Sequence, residues 1–309
     1  MNLSNPAVLN GLDMCDRTKI LPVAAVCAGQ TIWGFSYIFT KVAMGYAKPD
    51  VLLSIRFILA FLIMNIMCLT GKFKVSIKGK RLKPLIMLGI MEPLYFYFES
   101  YGILYTNAMF SGVIIALVPV VSILLAVMFL KEYPTKRQAV FCLLPIAGVI
   151  VITISSSAMG IVRPLGVFLL ILTCLTSAGY KIVNRKSAVE FTAFERTYIV
   201  LLVSSVVFTV SAFVSLKGDI KEYIEPIFHL EFVMAVLALV VFCSVMANVF
   251  VNYAAGRMSV AKLATFGTLT TVWSIFAGVL FLGEPITVVS FIGSILILIG
   301  IWQVTKAQD

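Results

Sequence analysis

Apolar residues along this chain neither alternate nor return to one face of a helix. They run in long blocks separated by short polar connectors. Ten blocks are apolar over the length that crosses a bilayer core, about 20 residues as a helix. They cover roughly 20–44, 51–70, 84–104, 107–130, 138–157, 165–184, 196–216, 232–254, 260–282 and 286–305. The stretches Asn107 to Leu130 and Thr197 to Leu216 contain no charged residue. A membrane β-barrel would instead show alternating segments of about ten residues. The pattern predicts an all-α polytopic membrane protein with ten transmembrane helices. Asp13, Asp16, Arg17 and Lys19 precede the first block, which has no small-residue cleavage site and reads as a retained helix.

Composition agrees. Of 309 residues, 61% are hydrophobic and 12% charged, whereas soluble domains carry about 25% charged residues. The net charge of +10 is spread over connectors rather than gathered in one patch, so membrane topology explains it without a nucleic-acid partner. None of the six cysteines forms a C-x-x-C pair, and five lie inside apolar runs, where they act as small hydrophobes. The single histidine, His229, falls in a connector, which argues against a histidine metal site or a Ser-His-Asp triad.

The connectors predict orientation. With the N-terminus inside, the cytoplasmic side holds Arg17, Lys19, Lys72, Lys74, Lys78, Lys80, Arg81, Lys83, Lys131, Lys136, Arg137, Arg185, Lys186, Arg196, Arg257 and Lys306. The far side holds Lys48, Arg163, Lys217 and Lys221. This asymmetry places both termini in the cytoplasm, with the plasma membrane as the expected location.

The chain also repeats. "TNAMFSGVIIALVPVVSILLAVMFLKE" (106–132) overlays "MSVAKLATFGTLTTVWSIFAGVLFLGE" (258–284) at an offset of 152. Ser122 then meets Ser274, Leu130 meets Leu282, Glu132 meets Glu284 and Gly148 meets Gly300. "WGFSYIFTK" (33–41) loosely matches "AGYKIVNRK" (178–186). The expected units are 20–157 and 165–305, five helices each. Because five is odd, the second enters the membrane upside down, and such inverted repeats recur in transporters with a site near the midplane.

These segments, with "SIRFILAFLI" (54–63) and "FAGVLFLGEPITVVSFIGSILILIGI" (276–301), resemble the drug/metabolite transporter superfamily in its EamA-type branch. The resemblance covers nearly the whole chain. It implies two five-helix repeats, alternating access without ATP, and substrates that are commonly amino acids and related metabolites, often exported. Three positions depart from the pattern: the helix-4 proline, Pro119, has Thr271 as its mate, Phe141 replaces a small residue and faces Gly293 in the repeat, and Lys262 stands where an apolar or small residue is usual.

Ionisable residues in lipid cost about 2.5–3.5 kcal/mol on insertion scales unless paired or solvated, so they mark candidate sites. Helix 3 reads "MEPLYFYFESYG" (91–102): Glu92, Tyr95 and Glu99 share a face, and Pro93 is a candidate kink. Glu92 either pairs with a cation or binds a proton. Lys262 either receives a substrate carboxylate, balances Glu92 or snorkels to the interface. Asn248 and Asn252, one turn apart, either bind substrate or join helices. Gln30, Trp33 and Tyr37 share a face of helix 1, and Tyr180 and Lys181 occupy the matching region of helix 6. The substrate-site candidates are thus Glu92, Tyr95, Glu99, Lys262, Trp33, Tyr37, Asn248, Asn252 and Tyr180. Arg56 and Lys41, near the outer interface, read as anchors first and as binding residues second, Arg185 and Lys186 as cytoplasmic anchors, and Glu132 and Glu284 as helix ends.

The expected function is secondary transport of a small polar metabolite such as an amino acid, with protons as a candidate coupling partner and no cofactor. The alternatives are a nucleotide-sugar or phosphorylated-metabolite exchanger of the same fold, and a membrane-embedded enzyme. The sequence offers no H-E-x-x-H for the enzyme and no Walker motif for direct use of ATP. The topology is testable with single cysteines introduced at Lys78 and Asp219 in intact cells. An impermeant thiol reagent should modify position 219 and spare position 78, and the reverse pattern would overturn the orientation.

Overall fold

The computed structural model describes residues 6–71, 73–105, 114–115, 117–155, 163–282 and 288–306. All regular structure among them is helical. The main rods are α1 (Pro6–Met44), α2 (Pro49–Leu69), α3 (Leu82–Leu104), α4 (Val118–Leu130) and α5 (Lys136–Phe141, resuming as Leu143–Ser155). They continue as α6 (Pro164–Ser187), α7 (Ala193–Ser215), α8 (Leu230–Ala255), α9 (Val260–Gly267, resuming as Leu269–Leu282) and α10 (Val288–Lys306). Among the described residues, five stretches are long and apolar enough to cross a membrane by length and composition: Ile20–Met44, Pro49–Leu69, Pro164–Ser187, Ala193–Ser215 and Leu230–Ala255. Val118–Leu130 and Phe291–Gln303 are shorter apolar helices.

Local chemistry sets the boundaries. Pro49 and Pro164 open α2 and α6 at a position where no backbone donor is needed. Thr135 with Gln138, and Thr192 with Glu195, form reciprocal capping boxes at the starts of α5 and α7. Pro93 lies inside α3, which remains one helix through it. Pro119 stands in the first turn of α4, just after the turn at Leu117. The helix break in α9 at Thr268 falls at the repeat equivalent of residue 116, although α9 has threonine in place of that proline. There the Thr268 hydroxyl donates to the Thr265 carbonyl at 2.7 Å.

Packing carries the repeat into three dimensions. α3 packs on α6 as α8 packs on α1, α3 on α7 as α8 on α2, and α4 on α6 as α9 on α1. The pairs α2–α7, α4–α9 and α5–α10 each map onto themselves when the halves are exchanged. The largest core cluster lies where α2, α7 and α8 meet and includes Phe57, Met64, Leu201, Phe208 and Phe232. Outward faces are also apolar: Val206, Val210 and Val214, one turn apart on α7, are 57%, 58% and 73% exposed. Such a stripe suits a lipid-facing surface.

The α5–α10 crossing fixes the register. A Cβ on Gly148 would lie 2.5 Å from the Gly293 carbonyl oxygen and 2.9 Å from Ile297 Cγ1. On Gly300, the repeat mate, it would lie 2.3 Å from Pro145 Cδ. Pro145 and Ile297 are themselves 152 residues apart, so the two contacts are symmetry copies. Gly300→Val should lower the melting temperature in detergent, at a cost of about 1–3 kcal/mol for overpacking. Gly267→Ala, where a Cβ meets nothing within 4 Å, serves as the control and should leave it unchanged or higher.

Candidate functional site

The acidic stripe of α3 divides in two. Tyr95 donates its hydroxyl to Glu99 Oε1 at 2.7 Å. Both residues are partly buried against α6, where Cys174 lies within electrostatic reach of Tyr95. Glu92 is also partly buried and forms no hydrogen bond or ion pair with another described residue. It lies within the field of two cations, Arg56 from α2 and Lys181 from α6. Lys181 Nζ donates to Ser177 Oγ, one turn earlier on its own helix, at 2.9 Å. The triad Glu92, Arg56 and Lys181 therefore brings together residues from both repeats.

Arg56 corrects an expectation. It is no interfacial anchor: it is 9% exposed, donates from Nε to Ser244 Oγ of α8 at 2.7 Å, and lies 5.6 Å from the centre of the Phe57 ring. Its distance along the sequence from the end of α2 gives depth but not direction, and it points into the protein.

Asn252 proves to be a joint between helices. Its Oδ1 accepts from Asn184 Nδ2 at 2.7 Å and from the Tyr180 hydroxyl at 3.4 Å. Its Nδ2 donates to Thr197 Oγ1 at 2.8 Å, and its backbone carbonyl accepts from Arg196. Arg196, 1% exposed, also donates to both oxygens of Asn184. This network binds α6, α7 and α8 together. Arg196 is therefore an interior residue rather than the cytoplasmic surface charge expected from its place near a helix end. Asn248, by contrast, donates only within its helix, to the Ser244 carbonyl at 3.0 Å.

Two of the three residues expected on one face of α1 bond to neighbouring helices. Gln30 Oε1 accepts from Thr270 of α9 at 2.6 Å. Trp33 Nε1 donates to the Cys243 carbonyl at 3.0 Å, inside a π-helical stretch of α8 (Leu239–Ala247) whose widened turns interrupt the α-helical ladder. The side chains of Tyr37, Lys41 and Ser274, and all of Glu284, lie outside the described residues. Lys262, partly buried, sits in the first turn of α9 with its amide on the Ser259 cap at 3.4 Å. Glu132 does more than end α4. Its carboxylate pairs with Arg185 at 3.2 Å and accepts the Val260 amide at the start of α9, also at 3.2 Å. Arg185, expected as a surface anchor, also donates to the Gly256 carbonyl at 2.6 Å.

Asn252→Leu should strand the Asn184 amide and the Thr197 hydroxyl and lower stability by about 1–3 kcal/mol, the cost of unmatched buried polar groups. Thermal unfolding in detergent measures this. Unchanged stability together with altered solute binding would instead return Asn252 to the substrate site.

The EamA-like transporter family matches this chain twice, over residues 20–154 and 164–306. The uncharacterized transporter YcxC of Bacillus subtilis is 31% identical, covering 87% of this chain and 88% of that protein. An uncharacterized transporter of Archaeoglobus fulgidus is 25% identical over 90% of this chain and 96% of its own length. One crystal structure, 15% identical, superposes with a TM-score of 0.73 and covers 93% of this chain and 96% of that one, a likeness of fold. Two family matches spanning nearly the whole sequence, on a helical bundle whose packing exchanges its halves, lead to one conclusion: this chain is a multi-pass membrane protein and belongs to the EamA-like transporter family.

Proposed function

We propose that the chain is a secondary transporter that moves a small polar metabolite, such as an amino acid or related compound, out of the cell by alternating access. In this reading ten helices span the plasma membrane as two inverted five-helix units, 20–157 and 165–305, with both termini cytoplasmic. The observation that carries it is the placement of Glu92, Arg56 and Lys181. Charged groups from both repeats act on one another in a bundle whose packing is symmetric under exchange of those repeats. Symmetric halves provide two conformations of similar energy, one open to each side, and charges between them give a solute something to bind in both.

Glu92 is the group through which solute binding is coupled to a cation. It takes up either a solute amine or a proton, and occupancy by one excludes the other. Arg56, Lys181, Tyr180, Tyr95 and Glu99 are the ionisable groups that act on it or share its face. Tyr95, Glu99, Tyr180 and Lys262 complete the expected lining.

Proteoliposomes loaded with a bacterial metabolite extract, with mass spectrometry of the compounds released, test the function. A transporter releases one or a few compounds chemically unchanged. Release no different from empty liposomes, or chemical conversion of a compound, would refute transport. Glu92→Gln keeps size and hydrogen bonding but cannot titrate, so it should flatten the pH dependence of release or abolish accumulation against a gradient. A wild-type rate and pH profile in that variant would make Glu92 structural.

A further inference from the structure

Arg56 uses only part of its hydrogen-bonding capacity. Nε is taken by Ser244, whereas Nη1 and Nη2 donate to no described residue. Guanidinium groups this deep in a protein normally have every donor matched, because an unmatched buried charge costs several kcal/mol. Arg196 in the same bundle shows the matched case, with carbonyl or amide oxygens on both terminal nitrogens. Nor are the two Arg56 nitrogens sealed in. The enclosed side-chain atoms without a partner are Ser122 Oγ, Gln138 Nε2, Ser204 Oγ and Trp273 Nε1 among the described residues, and no Arg56 atom is among them. Two parallel donors, oriented by Ser244 and beside the Phe57 ring, are thus presented at the contact of α2 with α8, where Phe96 of α3 also meets Phe57 at 5.9 Å between ring centres.

Resting on the transport reading above, we infer that Arg56 is the specificity-determining residue of the site and receives the carboxylate of the solute on its free Nη1/Nη2 fork. The planar fork matches a carboxylate with two parallel hydrogen bonds, a geometry that lysine cannot offer. Ser244 acts as a positioning residue by fixing Nε and so the plane of the fork. The local charge selects the type of anion. Arg56 and Lys181 contribute two positive charges and Glu92 one negative, so the triad suits a singly charged carboxylate better than a phosphate dianion.

The test uses purified full-length protein and matched probes: the standard amino acids, their α-amides, the corresponding decarboxylated amines, and inorganic phosphate. Binding is read as a rise in melting temperature with ligand concentration. Wild-type protein should bind at least one amino acid about ten- to a hundredfold more tightly than its amide or amine, as loss of charged hydrogen bonds predicts. Arg56→Lys keeps the charge and removes the fork, so it should shrink that acid-over-amide ratio several-fold while the unliganded melting temperature stays close to wild type. If Arg56→Lys does not fold, Ser244→Ala replaces it. That variant leaves the charge in place, frees the plane of the fork, and should also reduce the ratio. Equal stabilisation by acid and amide, binding of phosphate in preference to amino acids, or no stabilisation by any carboxylate probe would each overturn the inference. In those cases the release of unmodified metabolites from proteoliposomes stands or falls separately, because that assay assumes nothing about the ligand's charge.

Discussion

In a lipid-embedded protein a buried polar group without a partner in the chain is costly, and Asn252 shows how much structure rests on supplying such partners. Its side-chain amide and its own backbone carbonyl together engage Asn184, Tyr180, Thr197 and Arg196, drawn from two neighbouring helices. Apolar surface cannot distinguish one helix neighbour from another when lipid is as apolar as leucine. Hydrogen bonds with fixed direction can. The network holds α6, α7 and α8 in one arrangement, and α8 in turn presents Ser244 to Arg56. The placement of Ser244 beside Arg56 therefore depends on a polar joint elsewhere in α8.

Charge is used in three ways in this bundle. Arg196 is fully matched and structural. Glu132, Arg185 and the start of α9 form a tie across elements, as do Glu195, Lys80 and the Ser76 amide, where Glu195 accepts at 2.8 Å from Lys80 and 2.9 Å from Ser76. Glu92, Arg56 and Lys181 act on one another without closing an ion pair, which leaves hydrogen-bonding capacity for something else. The same residue types thus differ in how many of their donors and acceptors the protein itself consumes.

Much of the architecture could be read from the sequence because lipid imposes a simple rule. Long apolar runs report helices, and the offset of 152 that aligned Gly148 with Gly300 reappears as a pair of equivalent backbone contacts. The glutamate–tyrosine stripe of α3 was legible for the same reason: spacing along one helix determines a shared face. What spacing cannot convey is which distant helix that face meets. Arg56 and Ser244 are 188 residues apart, and nothing in either segment announces the other. Arg196 was expected among the cytoplasmic charges because it lies near a helix end, yet a helix end covered by neighbouring helices is buried too. The break in α9 was also hidden, since its signal is not a proline but the hydroxyl of Thr268 folding back on the Thr265 carbonyl.

The glycine crossing of α5 and α10 has a mechanical consequence. Most helix pairs interlock through side chains, and turning one against the other means lifting knobs out of holes. Where Gly148 meets Gly293 and Gly300 meets Pro145, the nearest surfaces are backbone and a rigid ring, with the Ile297 side chain beside Gly148. Such a bearing is close-fitting but smooth. It is one of three contacts, with α2–α7 and α4–α9, that map onto themselves when the halves are exchanged. Backbone and ring cannot turn aside as a flexible side chain can, so an atom added at either glycine has to move a whole helix.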